Sequence, residues 1–431
     1  MKSAVPEAEK ENTYSSRESW PPYTYRDYPD IAPETYQEFM EFLSTENTSG
    51  KVLEIQPWVS FCDRKCTFCY YPNNPYSSSM MEPYLKALKK ELMMYATTKY
   101  LQTSEFDEIS LGGGTPSLMT KDQMLDLIKY CEDSFNMVDD YYLKISASSR
   151  SMDKDTLVAV ADYGLYQLDM GAQTFDDKLR KMMNLSDSAE HVKEEIRFAR
   201  KLGLCVCIDI MYNIPGQTLE SWVDSVKTAI ELDVEVDAYC LQVYPNTVMY
   251  KQLQAGKIPP QPDPELEKQM YVSAYELFKE AGYKAIGHDR YSRVEWHANE
   301  NCLNGWPWAG ILTAGAGCFM GYFQRFSYSN LDLSNGYIAA VQEGRLPIAK
   351  LAKSTDKDMM QKFMTKLYLR LPVKKMEFKE HFGKLPEEVY PEQLKRLQEK
   401  DLIEINDEEI RITKLGDLWK ANIAWEFTEK K

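Results

Sequence analysis

The 431-residue sequence lacks a basic surplus: 51 lysines and arginines face 66 carboxylates, giving a formal net charge of −15. A non-specific nucleic-acid binder needs a basic face to displace phosphate counterions, so that class is excluded. There is no unbroken apolar run either. The longest uncharged stretch, Asn301 to Gln324, is long enough to span a bilayer, but Gly305, Pro307, Gly310, Gly315, Gly317 and Gly321 interrupt it, and loop with buried strand is expected there. The opening MKSAVPEAEKENTYSS is polar and acidic where a signal peptide needs an apolar core. A cytoplasmic protein is expected, with no membrane or nucleic-acid partner. Nine cysteines give no disulfide framework, because the number is odd and Cys131, Cys205, Cys207, Cys240, Cys302 and Cys318 stand at irregular spacing. Histidine is scarce: His191, His288, His297 and His381 are the full set.

Hydrophobic content is ample, at 44%, and it is arranged in alternation. From Val52 to about Ile286, β-branched runs such as VLEIQPWV, FDEISLGGG, YLKISAS, YQLDMGA, VCIDIMYNI and VDAYCLQVY are each followed by a helical stretch. Strand–helix pairs in series imply an α/β fold: a parallel sheet with helical crossovers, open or closed into a partial barrel, with ligands at the carboxyl ends of its strands. The expected organisation is an extension over 1–50 docking on the barrel, a barrel over 51–287, an aromatic and glycine-rich cap over 288–348, and a helical tail over 349–431. The extension holds a Pro and Tyr segment, Trp20 to Asp30, that cannot be helical. In the tail, helices around MMQKFMTKLYLRL and PEQLKRLQEKDLI precede a short strand pair, a winged-helix-like pattern.

Just after the first strand stands FCDRKCTFCYYPNN, which places Cys62, Cys66 and Cys69 within one loop. Three thiolates on an iron-sulfur cubane leave one iron open to an exogenous chelator. Structural zinc would want a fourth ligand, and a redox dithiol would use only two of the three. The second strand ends in LGGGTPS, where successive glycines let backbone approach a ligand or form a tight turn.

Taken together, the cysteine loop, GGGTPS, GAQTFDDKLRKM (Gly171 to Met182), DIMYNIPGQT (Asp209 to Thr218), AGAGCFMGYF and the tail TKLGDLWKANIAWEF resemble the radical S-adenosylmethionine (radical SAM) enzymes, in their oxygen-independent coproporphyrinogen III oxidase-like (HemN-like) branch. The resemblance covers nearly the whole chain from about Trp20. It implies a partial (β/α)6 radical SAM barrel and a HemN-like tail. It further implies a 4Fe-4S cluster on Cys62, Cys66 and Cys69, with SAM chelating the open iron and cleaved to a 5′-deoxyadenosyl radical. Gly112, Gly113, Gly114 and Thr115 would face the methionine part of SAM, with Phe68 beside the cluster. Gln173 and Asp209 would hold polar groups of SAM or of a second SAM, and Ile214 would border the adenine. Asp209 as a strand-end carboxylate satisfied by backbone is the plainer alternative.

The sequence also departs from the oxidases proper. Their Tyr, His and Pro before the first cysteine are Gln56, Trp58 and Ser60 here, and Ser146 takes the cofactor-facing place of their Glu. Leu185 replaces their Arg, and Tyr70-Tyr71 their Gly-Cys. These changes point away from propionate decarboxylation and toward class C radical SAM methyltransferases, which use two SAM molecules. In pattern, Ala314 to Ile348 is similar to members that methylate heme and open it without oxygen. Heme chaperones of the same branch are the non-catalytic alternative. Trp296, Trp306, Trp308, Phe319, Tyr322, Phe323, Phe326 and Tyr328 offer either a stacking surface for a planar tetrapyrrole or ordinary core packing. Tyr70, His288 and His297 are the candidate catalytic residues for proton transfer. A flavodoxin or ferredoxin is the expected electron donor.

Overall fold

The computed structural model describes residues 14, 16–18, 20, 22, 29–72, 74–185, 187–293 and 305–428. Six parallel strands form its centre: β1 (Leu53–Val59), β2 (Phe106–Gly113), β3 (Met137–Ala147), β4 (Gln167–Gln173), β5 (Cys205–Tyr212) and β6 (Glu235–Cys240). After α1 (Pro33–Leu43), the crossovers run through α2 (Ser78–Ala96), α3 (Lys121–Ser134), α4 (Lys154–Tyr163), α5 (Ala189–Lys201) and α6 (Leu219–Glu231), and α7 (Pro264–Glu280) follows β6. The chain turns into these helices on capping side chains. Thr120, Asp153, Ser188, Thr218 and Asp263 each accept a first-turn backbone N–H, and Thr120 and Thr218 complete a capping box.

The expected α/β partial barrel is found, and the sheet continues beyond it. Short β7 (Lys284–Ile286) and β8 (Arg290–Ser292) extend one side, with β8 antiparallel to β6. On the other side β9 (Gly310–Ala314) pairs parallel with β1, followed by β10 (Gly321–Phe323), β11 (Phe326–Asn330) and β12 (Ile348–Lys353), all antiparallel. The order β12-β11-β10-β9-β1-β2-β3-β4-β5-β6-β8-β7 leaves the two outer strands unpaired with each other, so the barrel is open.

Alternation along the strands separates two environments. Ile55, Ile109, Leu143, Leu168, Ile208 and Val236 are buried with Leu88, Leu127, Val160, Ile196 and Val226 of the helices, each apolar side chain contributing about 1.5–3 kcal/mol. Their strand neighbours Glu54, Glu108, Lys144, Asp169, Asp209 and Asp237 carry charge into the lumen, where Lys144 pairs with Glu108 at 2.8 Å and Arg290 clamps Asp237 through two bonds of 2.8 and 2.6 Å. This ionic lumen has no counterpart in the expectations from sequence.

The tail packs α8 (Asp356–Met364), α9 (Lys375–Phe382), α10 (Pro391–Glu399) and α11 (Lys420–Glu426) around a three-stranded sheet of β13 (Val373–Lys374), β14 (Ile403–Ile405) and β15 (Glu409–Ile412). Arg370 fastens it to the barrel: its guanidinium meets Asp417 and donates to the carbonyls of Gly287 and His288 at 3.1 and 2.7 Å. No helix among the described residues is long and apolar enough to cross a membrane.

Candidate functional site

The cysteine loop leaves β1 at Val59 and is held from four directions. Phe61–Cys62 pairs in parallel with Asn74–Pro75. The Thr67 N–H donates to Met183 O at 3.0 Å, the Thr67 carbonyl accepts from Met249 N at 2.8 Å, and Asn184 Nδ2 donates to Lys65 O at 2.9 Å. An ion pair between Arg150 and Asp63 closes the outer side. Cys62, Cys66 and Cys69 are all half-buried, and none is in a disulfide. Burial, offset in part by a bond from Thr115, pushes the Cys62 thiol up to about 11, and burial with the neighbouring Cys69 pushes Cys66 up to about 12. Such thiols stay protonated until a metal takes the proton's place.

The four residues assigned to SAM at the end of β2 divide by environment. At Gly114 a Cβ would stand 2.5 Å from the Phe61 carbonyl oxygen and 3.0 Å from Cys62 Sγ, and at Gly113, φ +110°, it would meet Val59 backbone. These two glycines let β2 pass against the cysteine loop, and on their Cβ side the close approach is to the protein's own backbone. Gly112 has open space within 4 Å of a Cβ, and Thr115 donates from Oγ1 to Cys62 Sγ at 3.4 Å.

Gln173 ends β4 in the left-handed region, φ 65°, where an L side chain is strained, and its amide lies over Gly171, 2.6 Å from where a Cβ would be. Asp209 pairs in register with Gly171, and Ser146 with Asp169, so the three polar candidates lie on adjoining strands. Burial, then repulsion from Asp237 and Asp169, lifts the Asp209 carboxyl well above the usual range. Ile214 is fully buried with Met211, Leu241 and Met249, and the half-buried Phe68 and Leu185 pack on the same cluster. The structure thus joins Phe68 and Ile214 into one apolar wall.

Tyr70 sits between Tyr71 and Tyr244, with ring centroids at 4.6 and 4.7 Å. Tyr71 continues to Phe319 at 5.0 Å and to Trp58 at 5.9 Å, a connected aromatic belt beside the cysteine loop. Of the eight aromatics suggested for stacking, Phe319 belongs to this belt. Phe323, Phe326 and Tyr328 are buried against Phe39. Trp306 donates to Lys362 O, and Trp308 stacks on His381, so both dock the tail instead. Trp296 and His297 lie outside the described residues. The glycines of AGAGC also serve backbone contacts: a Cβ at Gly315 would strike the Trp58 carbonyl, and one at Gly317 would stand 2.8 Å from Pro72.

His288 stands apart from Tyr70, among Tyr239, Tyr368 and Trp20 at 5.9, 6.0 and 6.3 Å, and burial lowers its pKa. Sequence reasoning missed Arg17, whose guanidinium donates to the Tyr212 hydroxyl at 2.9 Å and to Leu418 O, pairs with Glu267, and lies over the Tyr271 ring at 4.2 Å. Nothing local marks that arginine, because each partner is hundreds of residues away.

An open strand mouth ringed by three thiols in one loop fits a cluster-bearing (β/α)6 enzyme. Residues 57–229 match the Radical SAM superfamily and residues 354–419 the HemN C-terminal domain. The chain belongs to the radical SAM superfamily, as a radical SAM enzyme of the HemN/HemW branch. It is 28% identical to the heme chaperone HemW of Bacillus subtilis, over 84% of this chain and 95% of that protein. It is 22% identical to the anaerobilin synthase of Escherichia coli O157:H7, over 93% and 89%. The oxygen-independent coproporphyrinogen III oxidase of Helicobacter pylori is 25% identical over 96% and 95%. The solved coproporphyrinogen III oxidase (HemN) of Escherichia coli shares the fold, with a TM-score of 0.82 at 20% identity over 96% of each chain.

The cofactors of the chain are a 4Fe-4S cluster and SAM. The donor set fits: three half-buried thiols in one loop, with a hydroxyl bonded to one of them. Among the described residues no trio of His, Cys, Asp and Glu side chains converges as one metal ion requires. Zinc therefore gains no support, whereas cubane thiolates each take a separate iron.

Proposed function

We propose that the protein is a class C radical SAM methyltransferase acting on a planar tetrapyrrole, heme above all, and opening its ring. The observation that carries this reading is the half-buried Tyr244, Tyr70 and Tyr71 beside the cysteine loop, rings suited to a flat ligand and backed by the buried Phe319 and Trp58. Similarity to the anaerobilin synthase along 93% of the chain supports it.

Bound cluster and SAM supply, on one-electron reduction, a 5′-deoxyadenosyl radical. The residues of this chain would do the rest. Cys62, Cys66 and Cys69 hold the cluster. Gly112, Thr115, Ser146, Gln173 and the Asp209 carboxyl would offer polar contacts to SAM, while Phe68 and Ile214 exclude water. Because burial lowers its pKa, the His288 imidazole is neutral at physiological pH and able to accept a proton at a ring nitrogen, with Tyr70 and His297 as the other candidates. A flavodoxin or ferredoxin would deliver the electron, in the cytoplasm.

The second reading is heme carriage, favoured by the 28% identity to a heme chaperone. Anaerobic reconstitution followed by incubation with SAM, reductant and heme separates the two. The methyltransferase yields 5′-deoxyadenosine and S-adenosylhomocysteine together as heme disappears. Tight stoichiometric heme binding with neither product supports the carrier, and deoxyadenosine alone would overturn methylation of heme.

A further inference from the structure

Where the N-terminal segment, the barrel mouth and α11 meet, Arg17, Glu18, Tyr212, Cys240, Asp289, Tyr368 and Lys420 line a narrow cavity. Tyr212 and Cys240 are the last residues of β5 and β6, so the cavity opens at the strand ends where ligands of such folds bind. Its hydrogen bonding is incomplete. The Tyr368 hydroxyl is buried, with 4% of the residue exposed, and has no partner, and outside the lining the buried Trp20 Nε1, on the ring beside His288, has none either. Buried polar groups in native structures are nearly always paired, so orphan donors at a strand mouth mark a place for an acceptor.

Lys420 is the third incomplete group. Its closest acceptors are Asp289 Oδ1 and the Tyr271 hydroxyl, both at 3.4 Å, beyond the roughly 2.7–2.9 Å of a charge-assisted bond. Of the carboxylates nearby, Asp417 is engaged by Arg370 and Tyr271, and Glu267 by Arg17. Burial, then repulsion from Arg370, pushes the Lys420 ammonium down to about 8, and its ion pair with Asp289 is a long one, at 3.4 Å.

We infer that this cavity is a carboxylate-binding subsite, in which Lys420 and the Tyr368 hydroxyl take a carboxylate on the edge of the substrate. It rests on the tetrapyrrole reading above for the identity of the carrier, a propionate side chain, but the subsite itself rests on the cavity and its unpaired donors. A propionate anchored here would set the rotational position of the ring in the mouth.

The test uses the full-length protein and needs no turnover. Binding of deuteroporphyrin and of its dimethyl ester is followed by porphyrin fluorescence, and propionate alone is assayed by its effect on Tm. The free acid should bind about tenfold more tightly than the diester. Tyr368→Phe, which deletes only an unpartnered hydroxyl, and Lys420→Met should each erase most of that preference, and propionate should raise Tm in the wild type alone. Porphyrin binding without preference for the acid, with no propionate effect, overturns the subsite and leaves the tetrapyrrole reading standing. Stabilisation by propionate without porphyrin binding does the reverse. If both fail, both readings fall.

Discussion

The hydroxyl of Thr115 donates to Sγ of Cys62 across 3.4 Å, linking the end of β2 to the first cysteine of the loop. The bond holds the Cys62 thiol below where burial alone would put it. Thr115→Val keeps the shape and removes the donor. A net loss of about 0.5–1.5 kcal/mol follows, a few-fold weaker hold on the cluster, read as iron content after reconstitution at limiting iron. Hydrogen bonds to sulfur also set cluster potential, so the midpoint should move to more negative values. An unchanged potential and iron content would show the contact to be incidental.

Gly114→Ala and Gly112→Ala make a matched pair. The first drives a Cβ to 2.5 Å from the Phe61 carbonyl, backbone that cannot swing aside, and should cost about 1–3 kcal/mol and displace the cysteine loop. The second meets nothing within 4 Å and should leave Tm and iron content near wild type. If SAM lies over Gly112, that variant alone loses SAM affinity while keeping its cluster, which equilibrium dialysis measures.

Gln173 holds a left-handed backbone that favours glycine. Gln173→Gly should stabilise the fold by about 1 kcal/mol while weakening SAM binding through loss of the amide. A variant more stable and equally good at binding SAM would remove Gln173 from the site.

Asp417 ties the tail to the barrel through Arg370 and Tyr271, and these partners hold its carboxyl down to about 2, against 3.8 in an ordinary setting. For a lowered carboxyl the native state binds fewer protons than the unfolded chain between those values. Its stabilisation, up to roughly 2 kcal/mol, is present above pH 4 and lost as pH falls toward 2. Asp417→Asn should flatten that part of the urea-denaturation profile, and should cost about 3–5 kcal/mol at pH 7 by leaving Arg370 buried without its anion.

The barrel was readable because each strand announces itself in β-branched residues followed by a capped helix, as Val206 and Ile208 do before Ser221 and Thr218 close their box. The cysteine loop was readable because its ligands are sequential. What escaped depends on distant partners. Glu54 and Lys144 look like the polar positions of any half-exposed strand, and only strand pairing brings them to one lumen with Glu108. Sequence alone leaves the aromatics of the region after residue 287 between stacking and core packing for a related reason. Composition supplies rings but not the face they take, and the pairing of β10 and β11 turns Phe323 and Phe326 into the core. The glycine runs were correctly read as close approaches, yet at Gly113, Gly114 and Gly315 what approaches is the chain itself.

Arg17 also fixes an order of events during synthesis. It bonds to the carbonyl of Leu418, 401 residues further along. At roughly 5–20 residues per second a ribosome takes about 20–80 s to make that stretch. Tyr212 and Glu267, 195 and 250 residues after Arg17, are made about halfway through that interval, but the Leu418 carbonyl comes only at its end, long after the cysteine loop, the first strand and α2. The bond that joins the N-terminal segment to the tail therefore forms last, after every residue of the cysteine loop has been made.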